Sequence, residues 1–328
     1  MQTHARFVMD RLFAILAVAA LSAPAAGIAE NGYPSHPVKI VIGVPPGNNT
    51  EALVRIVAEK LALRWGKPVL VENKPGANQT LGAEAVAKAE PDGYTLLASL
   101  PGSIATARAL NPRLAYDPAA FVPVTVLATL VHVIVVNPKL PVATLQELIA
   151  YAKANPNKLS YGSSGNGGVP HLATEMLKLD AGIELMHVPY KGLTPAMTDL
   201  LGGRIDLIFD NVTNTRGYIR DGRLRAIGVG SLKRLPEFPE VPAVAELYPG
   251  FEAIAWLGVV APPKTPSEVA AAISRAISDT LKLPEVAARF EQVGARPVGN
   301  SPAEAAAFFA KETERWQKVI VSAMIKSD

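Results

Sequence analysis

The sequence predicts an α/β protein of two lobes around a cleft, and three observations carry that prediction. Short apolar strand runs alternate with capped helices along the chain, the grammar of βαβ units whose sheets are mostly parallel and covered by helices on both faces. Two glycine-rich loops, Pro45-Pro46-Gly47-Asn48-Asn49-Thr50 and Gly162-Ser163-Ser164-Gly165-Asn166-Gly167-Gly168, each stand between a strand and a helix, more than a hundred residues apart. The 328 residues, less a leader, exceed what one hydrophobic core comfortably serves.

The leader comes first. Arg6 and Arg11 precede an unbroken apolar run over residues 12–21, followed by Ser22, Ala23, Pro24 and small residues to Ala29. This pattern reads as a secretory signal peptide over residues 1–29, cleaved near Ala26 or Ala29. The run is about half of the roughly 20 residues that span a bilayer, and no later stretch replaces it. Cysteine is absent, so no disulfide, thiol nucleophile, thiolate metal site or lipidated N-terminal cysteine is available. The expected location is the periplasm, free rather than tethered. The formal charge of +3 falls to +2 with the leader removed, too little for a nucleic-acid partner.

The elements follow in order. Residues 38–44 form a strand run, and residues 51–64 place Leu53, Ile56, Val57 and Leu61 at helical spacing. Residues 69–71 and 95–99 read as strands on either side of an alanine-rich helix around 81–89. Capping boxes start three helices: Thr144-Leu145-Gln146-Glu147, Thr265-Pro266-Ser267-Glu268 and Ser301-Pro302-Ala303-Glu304. Thr194-Pro195 opens another helix that Gly202-Gly203 closes, residues 205–209 run as a strand into Asp210-Asn211, and 226–229 form one more. In such sheets ligands collect beyond the carboxyl ends of the strands, where Gly47, Ser163 and Asp210 would all lie. A helix N-terminus offers unpaired N–H groups and partial positive charge, so the two glycine loops are able to grip an anion from opposite sides.

The ordered motifs Tyr33-Pro34-Ser35, Pro45-Pro46-Gly47, Val71-Glu72-Asn73-Lys74-Pro75-Gly76, Pro91-Asp92-Gly93-Tyr94-Thr95, Ser163-Ser164-Gly165-Asn166-Gly167, His187-Val188-Pro189-Tyr190-Lys191-Gly192 and Phe209-Asp210-Asn211 closely resemble the Bug family. These are periplasmic solute-binding proteins of tripartite tricarboxylate transporters, and the resemblance covers essentially the whole mature chain. It implies a type II periplasmic-binding-protein fold with a central cleft and two hinge crossings, near 127–131 and 229–232. Lobe 1 would then comprise 30–128 with 231–328, and lobe 2 would comprise 129–230.

The resemblance further implies a small carboxylate held by backbone amides, hydroxyls and waters. Pro46, Gly47, Asn48, Asn49 and Thr50 would form the first cradle. Ser163, Ser164, Gly165, Asn166, Gly167 and the following Gly168 would form the second. Gly102 and Ser103 would line the cleft, with Asp210 and Asn211 at its floor. The partners implied are the small and large integral membrane subunits of such a transporter, with the binding protein a monomer. Two departures bear on specificity: Asn48-Asn49-Thr50-Glu51 replaces the glycine run and aspartate usual in the family, and Leu100 stands where threonine is common. Together they predict a partly apolar cleft that rejects the usual dicarboxylate.

Each residue also has a structural alternative. The glycines serve as turns, and Ser163 and Ser164 as plain hydrogen-bonding serines, since Asn166 spoils a Gly-x-Ser-x-Gly elbow. His171 reads equally as a ligand contact, a backbone cap or packing. His187 reads as structural and His132 as a core or edge residue. Trp65, Trp256 and Trp316 read as core aromatics, and Lys191 as a solvent contact. The histidines lack metal-ligand spacing, and Pro170 breaks a dinucleotide fingerprint, so no metal, cofactor or catalytic residue is expected. A sensor feeding a membrane signalling partner, or an enzyme on the same scaffold, stand as alternatives to transport.

Overall fold

The computed structural model describes residues 32–47 and 49–326. The expected signal peptide, its cleavage points and Asn48 lie outside the described residues. Strand β1 (Val38–Ile42), buried at every position but Lys39, leads into α1 (Asn49–Trp65), β2 (Val69–Asn73), a turn at Ala77–Gln79 and α2 (Thr80–Ala87). Then come β3 (Thr95–Ser99), a π-helical turn (Gly102–Thr106) and the single turn α3 (Ala107–Leu110). The 15-residue strand β4 (Val122–Val136) is followed by α4 (Leu145–Ala154), β5 (Ser160–Ser163), α5 (Val169–Ala181), β6 (Met186–Pro189) and α6 (Leu193–Gly202). Next are β7 (Leu207–Asn211), α7 (Val212–Arg220) and β8 (Arg225–Val229). The chain returns through β9 (Ile254–Ala261), α8 (Ser267–Leu281), α9 (Pro284–Gln292), the short β10 (Arg296–Pro297) and α10 (Pro302–Ser322).

One ten-stranded sheet runs β2-β1-β3-β9-β4-β7-β5-β6, with β8 and β10 also pairing with β4. Its arms are parallel, as the βαβ pattern predicts: β1 with β2 and β3, and β5 with β6 and β7. Its centre is antiparallel, because β4 and β9 pair with each other and with β3, β7, β8 and β10 in that sense. The link from β8 to β9 holds only a short 3₁₀ turn at Val244–Glu246, so no crossover helix returns the chain for a parallel match.

Strand β4 serves both arms. Val122 to Val131 pair with β9, and His132 to Val136 with β7. At the changeover, His132 donates its N–H to the Ala253 carbonyl at 3.3 Å, and Gly230 donates to the His132 carbonyl at 2.7 Å. Both stretches expected as crossings, 127–131 and 229–232, therefore come together beside His132.

Local boundaries follow from donors and caps. Thr144 and Ser301 accept the N–H of Glu147 and Glu304 at 3.2 and 3.3 Å, as the capping boxes predict. Thr265 departs from its expected box: its hydroxyl donates to the Pro262 carbonyl at 2.8 Å, and α8 starts after Pro266 without a side-chain cap. Helix α6 starts at Leu193, just ahead of Thr194, and stops on the left-handed Gly203. Trp256 and Trp316 are fully buried in the core, while Trp65 at the end of α1 is half-buried.

Candidate ligand-binding cleft

Five strand-to-helix transitions open on one cleft of about 650 Å³ at the carboxyl ends of β1, β3, β5, β6 and β7. Its lining includes Gly47, Asn49 and Thr50 at the start of α1, Gly168 and Val169 at α5, Leu193 and Thr194 at α6, and Asn211 before α7. The N-termini of four helices thus face one volume, each with first-turn amides that lack an intrahelical acceptor. The caps of α5 and α6 are Gly168 and Gly192, which supply no side-chain hydrogen bond. Among the described residues no lysine or arginine lines the cleft.

On the first wall, Gly47 donates its N–H to Glu51 Oε2 at 2.6 Å, and Glu51 also accepts from Arg55 Nε at 2.8 Å. The Arg55 bond, reinforced by Gly47 and opposed by burial, holds the Glu51 carboxyl below the usual range. Sequence reasoning assigned the Gly47 amide to a ligand; the structure gives it to Glu51. Beside it lie two lining residues that the sequence reading missed, Asn78 and Gln79. Ala77, Asn78 and Gln79 all have positive φ (46°, 49° and 72°), which is costly for residues bearing a Cβ. Gln79 Oε1 accepts the Leu100 N–H at 3.1 Å, which ties the turn to the end of β3. The only sequence signal was the preceding Pro75-Gly76, since Ala77 and Gln79 have no preference for left-handed backbone.

On the second wall, Ser163 ends β5 as a fully buried residue. Its Oγ accepts the Gly165 N–H at 3.1 Å and pairs with His187 Nε2 at 2.6 Å. His171 Nδ1 accepts the Gly167 N–H at 3.0 Å, and its ring stacks on His187 with centroids 4.0 Å apart. Gly167 has φ +74°, and a Cβ there would clash with Leu110 Cδ1. Ser163, read from the sequence as a plain hydrogen-bonding serine, thus pairs with the structural histidine His187. This hydroxyl lies outside the cleft lining, where it shapes the loop.

At the floor, Asp210 is 1% exposed, and its Oδ1 accepts from Asn211 N–H at 2.6 Å and Asn214 Nδ2 at 3.1 Å. Burial outweighs these donors and pushes its carboxyl up to about 6. His132, expected in the core or at an edge, is buried yet lines the cleft. Burial lowers its imidazole to about 4, so the ring is neutral, and its Nδ1 has no hydrogen-bond partner.

Of the expected site residues, Gly47, Asn49, Thr50, Gly102, Ser164, Gly167, Asp210 and Asn211 line the cleft. Pro46, Ser103, Ser163, Gly165, Asn166 and His171 lie outside that lining. Ser103 is fully buried because its hydroxyl pairs with Ser99 and its carbonyl accepts the Tyr116 hydroxyl at 2.7 Å. Lys191 is exposed and does not line the cleft. Among the described residues no group of three or more His, Cys, Asp or Glu is placed to hold a metal ion.

A family model described as the tripartite tricarboxylate transporter family receptor matches residues 53–324. The chain belongs to this receptor family. It is 36% identical to BugT of Bordetella pertussis over 316 residues, 95% of this chain and 97% of that one. Among solved structures, R. palustris Rpa4515 with adipate shares 34% identity at a TM-score of 0.79, covering 90% of this chain and all of that one. MatC from Rhodopseudomonas palustris with bound malate shares 31% identity at a TM-score of 0.75, covering 88% and 99%. The α/β fold of this receptor-family member is thus that of the TctC-type solute-binding proteins. No described helix is long and apolar enough to cross a membrane.

Proposed function

We propose that this protein is a periplasmic receptor that captures a small carboxylate between two lobes and delivers it to the small and large membrane subunits of a tripartite transporter. The observation that carries this reading is the convergence of glycine-capped helix N-termini on a cleft without lysine or arginine. Such a cleft holds an anion by backbone dipoles and hydroxyls rather than by a fixed cation. Hydrogen bonds to a charged group contribute roughly 1.5–3 kcal/mol each, and micromolar binding needs about 8 kcal/mol, so four or five donors suffice.

The lobes are 30–128 with 231–328, and 129–230, joined where β4 and the segment after β8 meet at His132 and Gly230. Clamshell closure about this junction would bring the loops after β1 and β5 onto one ligand. The adipate and malate held by the two relatives support the carboxylate class. Binding without turnover fits the site, because the Ser163 hydroxyl is sealed from the cleft.

Calorimetry of the protein lacking residues 1–29 against mono-, di- and tricarboxylates, amino acids and neutral sugars tests the reading. Binding confined to carboxylates, with the ligand recovered unchanged, is the expected result. Selective binding of a neutral or cationic solute would overturn it. Co-purification with the two membrane subunits tests the transport partner.

A further inference from the structure

The lining divides into two chemically different halves. One holds the helix N-termini just described. The other is an apolar stripe on α6, where Leu193, Met197 and Leu201 at i, i+4 and i+8 all line the cleft, faced by Leu130 of β4. Leu130 and Met197 are buried at 4% and 7% exposure, and Leu193 and Leu201 are half-buried against the same core cluster.

The floor beneath that stripe carries a carboxyl group of its own. Among the described residues, Asp210 is the one acidic side chain in the lining. Beside it, Asn214 Nδ2 donates to Asp210, and Asn211 Oδ1 accepts the Thr213 N–H at 3.0 Å. A second ionised carboxylate brought here would lose its hydration and face a like charge. His132 adds no charge to this floor, since burial keeps its imidazole neutral. A volume of about 650 Å³ also lies within the roughly 300–1,000 Å³ of sites that enclose drug-sized ligands.

We propose that the cleft selects a monocarboxylate with an apolar body, seated along Leu193, Met197, Leu201 and Leu130. This inference rests on the carboxylate-binding reading above. It assigns the second half of the cleft, which that reading leaves open.

The test is competitive calorimetry with adipate, malate, 4-methylpentanoate, phenylacetate and 4-hydroxyphenylacetate. The expected order places the monoacids at least tenfold tighter than adipate or malate. Met197→Lys should reverse the preference toward adipate by tenfold or more. Thr198→Lys, at an exposed lining position on the same helix, makes the same test without burying a charge. Adipate or malate binding tightest overturns the inference while the carboxylate reading stands. An adipate-to-monoacid ratio unchanged in the folded Thr198→Lys variant also overturns it. Failure of every acid overturns both.

Discussion

His171 Nδ1 accepts the backbone N–H of Gly167 across 3.0 Å, so a histidine outside the cleft lining sets the shape of a loop that forms its wall. The same ring stacks on His187, which in turn pairs with Ser163. His171→Phe should keep the stack and lose the acceptor, leaving a buried amide unpaired at a cost of about 1–3 kcal/mol. The expected readouts are a lower urea midpoint and roughly tenfold weaker binding of the best carboxylate. Unchanged affinity in a destabilised His171→Phe protein would show that the loop holds its shape without this bond.

Gly102 packs against the left-handed turn. A Cβ at this position would stand 2.8 Å from Asn78 Oδ1 and 2.9 Å from the Asn78 carbonyl. Gly102→Ala should therefore displace Asn78 and Gln79 and lower stability by about 1–3 kcal/mol. Because both displaced residues line the cleft, affinity should fall as well. Chemical denaturation and calorimetry on the one variant separate the two effects.

Glu312 on α10 is 1% exposed and accepts from Trp256 Nε1 at 2.8 Å and Arg315 Nη2 at 2.7 Å. Arg315→Ala leaves a buried carboxylate without its cation and should cost about 3–5 kcal/mol. Adding Glu312→Gln removes the charge and should recover more than half of that loss. A double variant no more stable than Arg315→Ala would place the damage in lost packing instead.

Two buried groups at the cleft floor should give opposing pH dependences. His132, lowered from 6.5 to about 4, contributes stability that is complete above pH 6.5 and lost as pH falls through 4. Asp210, raised from 3.8 to about 6, contributes stability that is complete below pH 3.8 and lost as pH rises through 6. Each amounts to on the order of 3 kcal/mol, so between pH 4 and 6.5 they largely cancel. Relative to wild type, His132→Gln should gain stability toward pH 4, and Asp210→Asn should gain it toward pH 7. Urea titrations across that range read both slopes, and parallel curves for all three proteins would remove the linkage from these residues.

Much of the fold was legible because its signals are local. Period and caps placed β3 at Thr95–Ser99 and the caps of α4 and α10 at Thr144 and Ser301. Thr265 is not the cap because the helix begins one residue later, after Pro266, and the Thr265 hydroxyl instead donates to the Pro262 carbonyl. The antiparallel centre of the sheet was also hidden, since nothing in β4 or β9 alone states which strand will lie beside it.

The site was legible at the loops and obscure elsewhere. Gly47, Gly167 and Asp210 announce themselves by residue type at strand ends. Gln79 and His132 do not: one reaches the cleft through a strained turn, and the other sits in an apolar run that reads as core.

By itself the sequence determined the alternation of strands and helices, the two glycine-rich strand-to-helix loops and the receptor family, because periodicity, capping and glycine conformation act within a few residues of chain. Tertiary structure alone decided which amides remain for a ligand and which face the protein's own Glu51 and His171. It also brought Leu130, His132 and the α6 stripe into one chamber. The Glu51 and His171 bonds span only four residues, but the chamber joins residues far apart in the chain, and burial and hydrogen-bond competition there are properties of the assembled fold.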